Sequence, residues 1–221
     1  IDDVESARLD RQITQWRERV GDLSWFMRSL NEHIARKANA EDQCTGHFWE
    51  SRFKSQALLD ETALITAMAY VDLNPIRAKI ATSIESSDFT SGQARCAQIK
   101  ALDDDSGPPA MPRLIPFIES EHRRSLDHLP FSLKDYLDLI NNTGRIIVSG
   151  KRGFIPAQQP RLLDSRNVDL QEWFNTVIRL QARYELAVGS PARLAQLAKR
   201  WGKHWLHGIR HARRLHPIPS G

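Results

Sequence analysis

Hydrophobic positions recur with a helical period through most of the 221-residue chain. Between residues 3 and 20 apolar side chains alternate with charges, and Gly21 marks the end of the predicted helix. Asp22 is the expected N-cap of a second helix that runs to about Ala38. The same period predicts further helices at Leu133 to about Asn142, Leu170 to Val188, Ala192 to Trp201 and Lys203 to Leu215.

The chain is organised around a short helix predicted between Asp60, its N-cap, and Pro75, which is expected to end it. Tyr70 and Asn74 lie four residues apart and therefore share one face of this helix. An apolar stripe on another face predicts the side that packs on the core: Leu64, Met68 and Val71, with Ile65 at its edge. Tyr70 has two interpretations at this stage, a half-buried tyrosine with a satisfied hydroxyl or the reactive group of a site.

Residues 47–57 change to a period of two, which is typical of a strand. In a strand, Arg52 and Lys54 would point away from the aromatic face, with His47 nearby. Such a face suits contacts with a phosphate backbone, and it equally suits a sheet edge that is protected by charge.

The stretch from 103 to 113 is rich in aspartate, proline and glycine, the composition of a linker. It predicts a first domain over residues 1–102 and a helical, basic extension over residues 114–221.

The net charge of +4 is unevenly placed along the chain. No acidic residue follows Glu185, so the last part of the chain is strongly basic and the remainder is net negative. A basic segment of this kind favours a polyanionic partner, most often nucleic acid, although it is also typical of a solvated helix end. Its cations are Arg193, Lys199, Arg200, Lys203, Arg210, Arg213 and Arg214.

Other features narrow the class of protein. No apolar run approaches the ~18 residues of a membrane span, and the N-terminus has no signal-peptide pattern. Cys44 and Cys96 are far apart and lack metal-binding spacing, which indicates reduced thiols in the cytoplasm. His204, His207 and His211 have helical spacing, but without acidic or cysteine partners they favour phosphate or solvent over a metal.

Two motifs carry a resemblance to a known family. GHFWESRFKS, from Gly46 to Ser55, precedes YVDLNPIRA, from Tyr70 to Ala78, and they are separated by the start of the predicted helix. Together they resemble the REP-associated tyrosine transposases, which belong to the single-tyrosine, His-hydrophobic-His class of DNA-nicking enzymes. The segments LPFSLKDY (129–136) and KRGFIP (151–156) are similar to the C-terminal extension of longer members.

The resemblance implies roles for these residues. Tyr70 would attack a phosphate of single-stranded or hairpin DNA and remain joined to the cut 5′ end as a phosphotyrosine. Asn74 would help to hold Mg²⁺ or Mn²⁺ in a full-length parent. The expected DNA contacts are His47, Arg52, Lys54, Arg77, Lys199, Arg200, Lys203, Arg210, Arg213 and Arg214.

The chain departs from the family in one important respect. The family holds its metal on a His-hydrophobic-His strand, and no His-x-His sequence occurs in these 221 residues. Because that strand precedes the matching segment in the family, Ile1 looks like a truncation. We therefore expect no well-bound metal in this chain and no catalysis by it alone.

The expected fold is α+β: a mostly helical fragment with part of a ferredoxin-like sheet and a helical C-terminal extension. The expected function is that of a cytoplasmic, nucleoid-associated transposase or nickase-type endonuclease in DNA recombination and the movement of a mobile element. The alternative is a non-catalytic DNA- or RNA-binding protein derived from a transposase. No membrane partner is expected, and the resemblance allows a homodimer.

Overall fold

The computed structural model describes residues 3–103, 114–118, 128–149 and 168–217. Its contacts divide the chain into two units, Ile1–Ser55 and Gln56–Gly221. The described residues are mostly helical with a small parallel sheet, so the predicted mixed α+β and mostly helical class is confirmed.

The first unit is a pair of helices, α1 (Asp3–Val20) and α2 (Leu23–Glu41). Asp22 caps α2 as predicted, because its Oδ1 accepts a hydrogen bond of 3.0 Å from the backbone N–H of Trp25. The α2 helix continues three residues beyond the predicted Ala38, and none of its residues is buried.

The strand predicted over residues 47–57 is absent apart from its last residue. Residues 47–56 form bends and irregular backbone, and Trp49 Nε1 donates a hydrogen bond of 2.9 Å to the carbonyl oxygen of Asn31. A strand needs a neighbouring backbone to complete its ladder, and within the first unit the described residues provide none.

The second unit contains the only strands among the described residues. In chain order its elements are β1 (Ala57–Leu58), α3 (Glu61–Asp72), α4 (Asn74–Arg77), α5 (Ser91–Asp103), α6 (Leu133–Ser149), α7 (Leu170–Ile178), α8 (Leu180–Arg183), β2 (Ala187–Val188), α9 (Pro191–Arg200) and α10 (Ile209–Leu215).

The two strands pair in parallel, with Ala57 opposite Ala187. Asp60, which follows β1 after one residue, accepts hydrogen bonds from two backbone N–H groups. Its Oδ1 accepts a bond of 2.8 Å from the N–H of Ala63, which confirms the predicted N-cap of α3. Its Oδ2 accepts a bond of 2.6 Å from the N–H of Ser190, directly before α9. One carboxylate therefore joins two helix starts that are 130 residues apart in sequence.

The predicted core face of α3 is only partly right. Leu64 and Met68 pack against the core and Ile65 is buried, whereas Val71 is 59% exposed. A single apolar stripe implies one core side, but α5, α6 and α7 all contact α3. A helix that is covered from several sides cannot show its orientation through one apolar stripe.

Two predicted helix ends differ from the structure. The helix α3 ends at Asp72, before Pro75, but Pro75 does not end the helical backbone and lies in the first turn of α4, where its missing N–H leaves no hydrogen bond unmade. The helix predicted to end near Asn142 continues to Ser149 as α6, with Gly144 inside it. A Cβ on Gly144 would lie 3.4 Å from Ile76 Cδ1 and from Leu73 Cδ2, so this glycine allows a close helix–helix approach.

The helix predicted from Leu170 to Val188 is broken at Arg179 and ends in strand β2. The last helix starts at Ile209 instead of Lys203, because Gly208 adopts a φ of 98° and ends the preceding turn. A Cβ at Gly208 would lie 2.4 Å from Tyr184 Cδ1, so only glycine fits there.

Helices from both sides of the predicted 103–113 linker contact each other in the second unit, as α3 does with α6 and α7. All of that linker except Asp103 lies outside the described residues, and the domain boundary placed there stays a prediction. The KRGFIP segment also lies outside them. Across the described ranges, no helix combines the length and apolar character that crossing a bilayer requires.

Candidate nucleic-acid site around Tyr70

Tyr70, Asn74 and Arg77 form one hydrogen-bonded cluster at the junction of α3 and α4. Arg77 Nη2 donates to Asn74 Oδ1 over 2.6 Å and to the hydroxyl of Tyr70 over 3.2 Å. Arg77 Nη1 donates to the carbonyl oxygen of Ile178 over 2.6 Å. The guanidinium carbon also lies 4.6 Å from the centroid of the Tyr70 ring, within range of a cation–π contact.

The tyrosine is partly buried, and its ring packs against a core cluster that includes residues of the C-terminal helices. The buried members of this cluster are Ala63, Leu180, Tyr184, Ala187, Val188, Leu194, Ala198, Leu206 and Ala212. Tyr70 therefore shares a core with α9 and α10, the helices that carry most of the basic residues that follow Glu185.

Arg77 was predicted as a DNA contact. Its guanidinium already makes three hydrogen bonds within the protein, although it has further N–H donors. The arrangement fixes the side chain beside the phenol and places a permanent positive charge there. A phosphate contact by Arg77 stays a prediction.

The residues present do not fit the divalent metal that the family resemblance implies. Among the described residues, no group of three or more His, Cys, Asp or Glu side chains could hold a metal ion. Asn74 Oδ1 is already bound to Arg77, and a divalent cation beside that guanidinium would be repelled. No metal-dependent step is therefore derived from these residues.

The three C-terminal histidines do not share a helix. His204 and His207 lie in the turn between α9 and α10, and only His211 is helical. Burial chiefly, and then the charges of Arg183 and Arg214, lower the pKa of His211. The neutral imidazole is favoured chiefly because burial disfavours the charged form, and the neighbouring arginines add to that effect.

The six C-terminal cations of the prediction are exposed and belong to one helix–turn–helix segment. Lys199 and Arg200 end α9, Lys203 lies in the turn, and the remaining three lie on α10. Those three are Arg210, Arg213 and Arg214. In the described part of the chain no ion pair involves any of the six, so their charge is directed at solvent or at a partner.

His47, Arg52 and Lys54 are exposed in the first unit. They follow α2 on irregular backbone instead of lining one face of a strand, so the geometric argument for their shared contact with phosphate is lost. Their assignment as DNA contacts stays a prediction that rests on charge and exposure.

Asp72 was missed from the sequence. It is 1% exposed, and its carboxylate accepts hydrogen bonds from the Tyr136 hydroxyl over 2.6 Å and from Ser91 Oγ over 3.0 Å. Burial, followed by the Asp72 charge, raises the pKa of Tyr136 well above its usual value. The only sequence signal was an acidic residue within an apolar helix, and its partner lies 64 residues further on.

Arg95 extends this buried polar group. It is 5% exposed, its Nη2 donates to the Ile115 carbonyl oxygen over 2.9 Å, and its guanidinium carbon lies 4.3 Å from the centroid of the Phe117 ring. Burial lowers the pKa of Arg95, while Tyr136 and Asp72 oppose that shift. Each member contacts other parts of the protein, so we assign this group to holding α3, α5 and α6 together.

Comparisons with models of protein families, with curated proteins and with solved structures found no match to this chain.

Proposed function

We propose that this chain acts on single-stranded or hairpin DNA as part of a transposase or nickase-type protein, with Tyr70 as the nucleophile. The observation that carries this proposal is the cluster of phenol, amide and guanidinium at Tyr70, Asn74 and Arg77. It is supported by the packing of Tyr70 on the core beneath the exposed cations of α9 and α10.

In the proposed step, the Tyr70 oxygen forms a bond to phosphorus while the bond to the 3′ oxygen breaks, leaving a 5′-phosphotyrosine. Arg77 supplies positive charge where the attacking oxygen and the phosphate become more negative. The proton of the phenol needs an acceptor, because a phenol is a weak nucleophile at neutral pH. No described histidine or carboxylate is hydrogen-bonded to this hydroxyl.

Catalysis by these 221 residues alone is not expected. Neither a metal site nor a general base accompanies Tyr70 in the described part of the chain. In the family, Mg²⁺ or Mn²⁺ neutralises charge on the phosphate and orients the attack.

The alternative function is DNA or RNA binding without cleavage, as in a protein derived from a transposase. It is favoured by the same Arg77, whose bonds to Ile178, Asn74 and Tyr70 would also suit a purely structural role. Both functions need the basic C-terminal helices, and both suit a cytoplasmic protein associated with the nucleoid.

Two observations separate these functions. The first is whether the reading frame upstream of Ile1 encodes a His-x-His strand, which the catalytic function requires. The second is incubation of residues 1–221 with end-labelled hairpin DNA and Mn²⁺. Binding without cleavage is expected, and cleavage that disappears in Tyr70→Phe would show that no histidine pair is needed.

A further inference from the structure

The turn that precedes α10 forms an open groove of about 630 Å³ beside Trp205. Its lining includes Trp205, His207, Arg210, His211 and Arg213. A volume of this size is within the range of small-ligand sites and is large enough for one nucleotide. We name this feature the Trp205 groove.

The chemistry of the groove is that of an aromatic surface beside fixed positive charge. Trp205 is 64% exposed, whereas the next residue, Leu206, is buried and anchors the turn. Arg210 and Arg213 are exposed and cannot lose their charge at physiological pH. No acidic residue follows Glu185, so neither the turn nor α10 provides a carboxylate to neutralise them.

Exposure alone does not single out Trp205, since Trp16 on α1 is 54% exposed. The difference is the setting, because Trp205 lines a groove together with two arginines and two histidines. Trp201, four residues before Trp205, is also exposed, and Lys203 Nζ lies 5.9 Å from the centroid of the Trp201 ring.

We propose that the Trp205 groove binds one nucleotide of a single-stranded nucleic acid, with the base stacked on Trp205 and the phosphate held by Arg210 and Arg213. This inference rests on the proposed function and adds a base contact to a surface that the sequence predicts only as a phosphate contact. Stacking of bases on aromatic side chains tolerates every base, so the groove selects single strands over duplex and does not select sequence.

The backbone conformation of Gly208 holds the Trp205 groove in one arrangement. Its φ of 98° reverses the chain between Trp205 and α10, and its Cα lies against the Tyr184 ring where a Cβ would clash. The turn is therefore held by the core, and the tryptophan and the arginines are presented from fixed backbone. A preformed site loses less conformational entropy on binding.

The test is fluorescence anisotropy of labelled oligo-dT and oligo-U, with duplex DNA of equal length and heparin as a competing polyanion. The full 221-residue chain is compared with Trp205→Ala, Trp205→Phe and the control Phe89→Ala, which removes an exposed aromatic side chain outside the groove. We expect Trp205→Ala to weaken single-strand binding about 5- to 150-fold, the effect of losing one stacked base. Trp205→Phe should retain most of the affinity, Phe89→Ala all of it, and duplex affinity should change little.

The dT and U arms report whether the strand is DNA or RNA, and either result supports the groove. Equal losses for Trp205→Ala and Phe89→Ala, or equal losses on single strand and duplex, would overturn the inference while leaving nucleic-acid binding itself intact. Heparin carries no bases, so its affinity should be the same for wild type and Trp205→Ala, and a loss of heparin affinity as large as the loss of single-strand affinity would also overturn the inference. A wild-type chain that binds no nucleic acid would overturn both this inference and the proposed function. Circular dichroism of each variant checks that the exposed substitutions leave the fold unchanged.

Discussion

Arg77 donates a hydrogen bond to the hydroxyl of Tyr70 over 3.2 Å, and its guanidinium lies 4.6 Å from the centroid of the same ring. A cation is thus fixed beside the one phenol that the sequence singles out. The same guanidinium binds Asn74, so all three residues of the candidate site depend on one side chain.

Replacing Arg77 should destabilise the junction of α3 and α4. Arg77→Ala removes the three bonds to Ile178, Asn74 and Tyr70, and we expect the free energy of unfolding to fall by about 1–3 kcal/mol. Arg77→Lys should recover little of this stability, because the compact charge of a lysine cannot bridge three acceptors as a planar guanidinium does. Urea unfolding measures the difference, with the exposed Arg200→Ala as control. Equal stability of Arg77→Ala and wild type would show that these bonds contribute nothing.

Removing the hydroxyl should destabilise the protein at one of its buried tyrosines and have little effect at the other. Tyr136→Phe removes a 2.6 Å bond to the buried Asp72 carboxylate, and we expect a loss of about 2–3 kcal/mol. The Tyr184 hydroxyl has no hydrogen-bond partner among the described residues, so Tyr184→Phe should stay within about 1 kcal/mol of wild type. Thermal unfolding at pH 7 compares the two, and a larger loss for Tyr184→Phe would contradict the assignment.

The raised pKa values of the same two tyrosines predict how the stability of the protein changes at alkaline pH. Burial raises the pKa of Tyr184 from 10 to about 12, and the pKa of Tyr136 rises well above 10. The folded state then holds protons that the unfolded state releases, so this contribution is complete below pH 10 and is lost as pH rises toward 12. For Tyr184 the loss is roughly 2–3 kcal/mol. Urea unfolding between pH 9 and pH 12 should show a shallower decline in Tyr184→Phe, and identical curves would refute the prediction.

The basic helices should contact nucleic acid mainly through phosphates. Replacing Arg210, Arg213 and Arg214 with Ala should weaken binding to all sequences alike and reduce the salt slope by about one unit per lost contact. The control removes the same charge from α1, through Arg8, Arg11 and Arg17, which are also exposed. An equal change in slope for both triple variants would mean that net charge, and not this surface, governs binding.

The helices of the first unit should favour self-association, in line with the homodimer allowed by the family resemblance. Their large apolar side chains are exposed at helical spacing: Leu9, Ile13, Trp16 and Val20 on α1, and Leu23, Phe26, Leu30 and Ile34 on α2. Exposed apolar patches of this kind mark interaction surfaces. Sedimentation velocity should show concentration-dependent association that Ile13→Lys with Leu30→Lys abolishes. The control Val71→Lys, at an exposed position of the second unit, should leave the association unchanged.

Local signals in the sequence predicted two helix starts well. Asp22 and Asp60 cap helices as expected, because capping depends on residues only three positions apart, and Asp169 caps α7 in the same way. Helix ends and faces were less predictable because they depend on distant parts of the chain. Gly144 stays helical because Leu73 and Ile76 pack against it.

The candidate site shows the same limit. The helical spacing placed Tyr70 and Asn74 on one side of the chain, but they are joined through Arg77, which the sequence predicted only as a DNA contact. The buried hydrogen bonds of Asp72 could not be predicted from the sequence, because their donors, Tyr136 and Ser91, lie on other helices. The pairing of Ala57 with Ala187 likewise joins residues too far apart for any local pattern to reveal.

A covalent adduct between Tyr70 and DNA is the direct product of the proposed reaction, and its detection is the decisive experiment. The complete product of the gene is incubated with 3′-labelled single-stranded hairpin DNA and Mn²⁺, denatured and separated by gel electrophoresis. If the upstream frame supplies a His-x-His strand, we expect a labelled protein band that Tyr70→Phe abolishes with DNA binding nearly unchanged. Asn74→Ala should reduce the band more than it reduces binding, because Asn74 accepts one of the hydrogen bonds that hold Arg77 beside Tyr70. A band that persists in Tyr70→Phe, or no band from a protein that carries the histidine pair and binds the hairpin, would contradict the account.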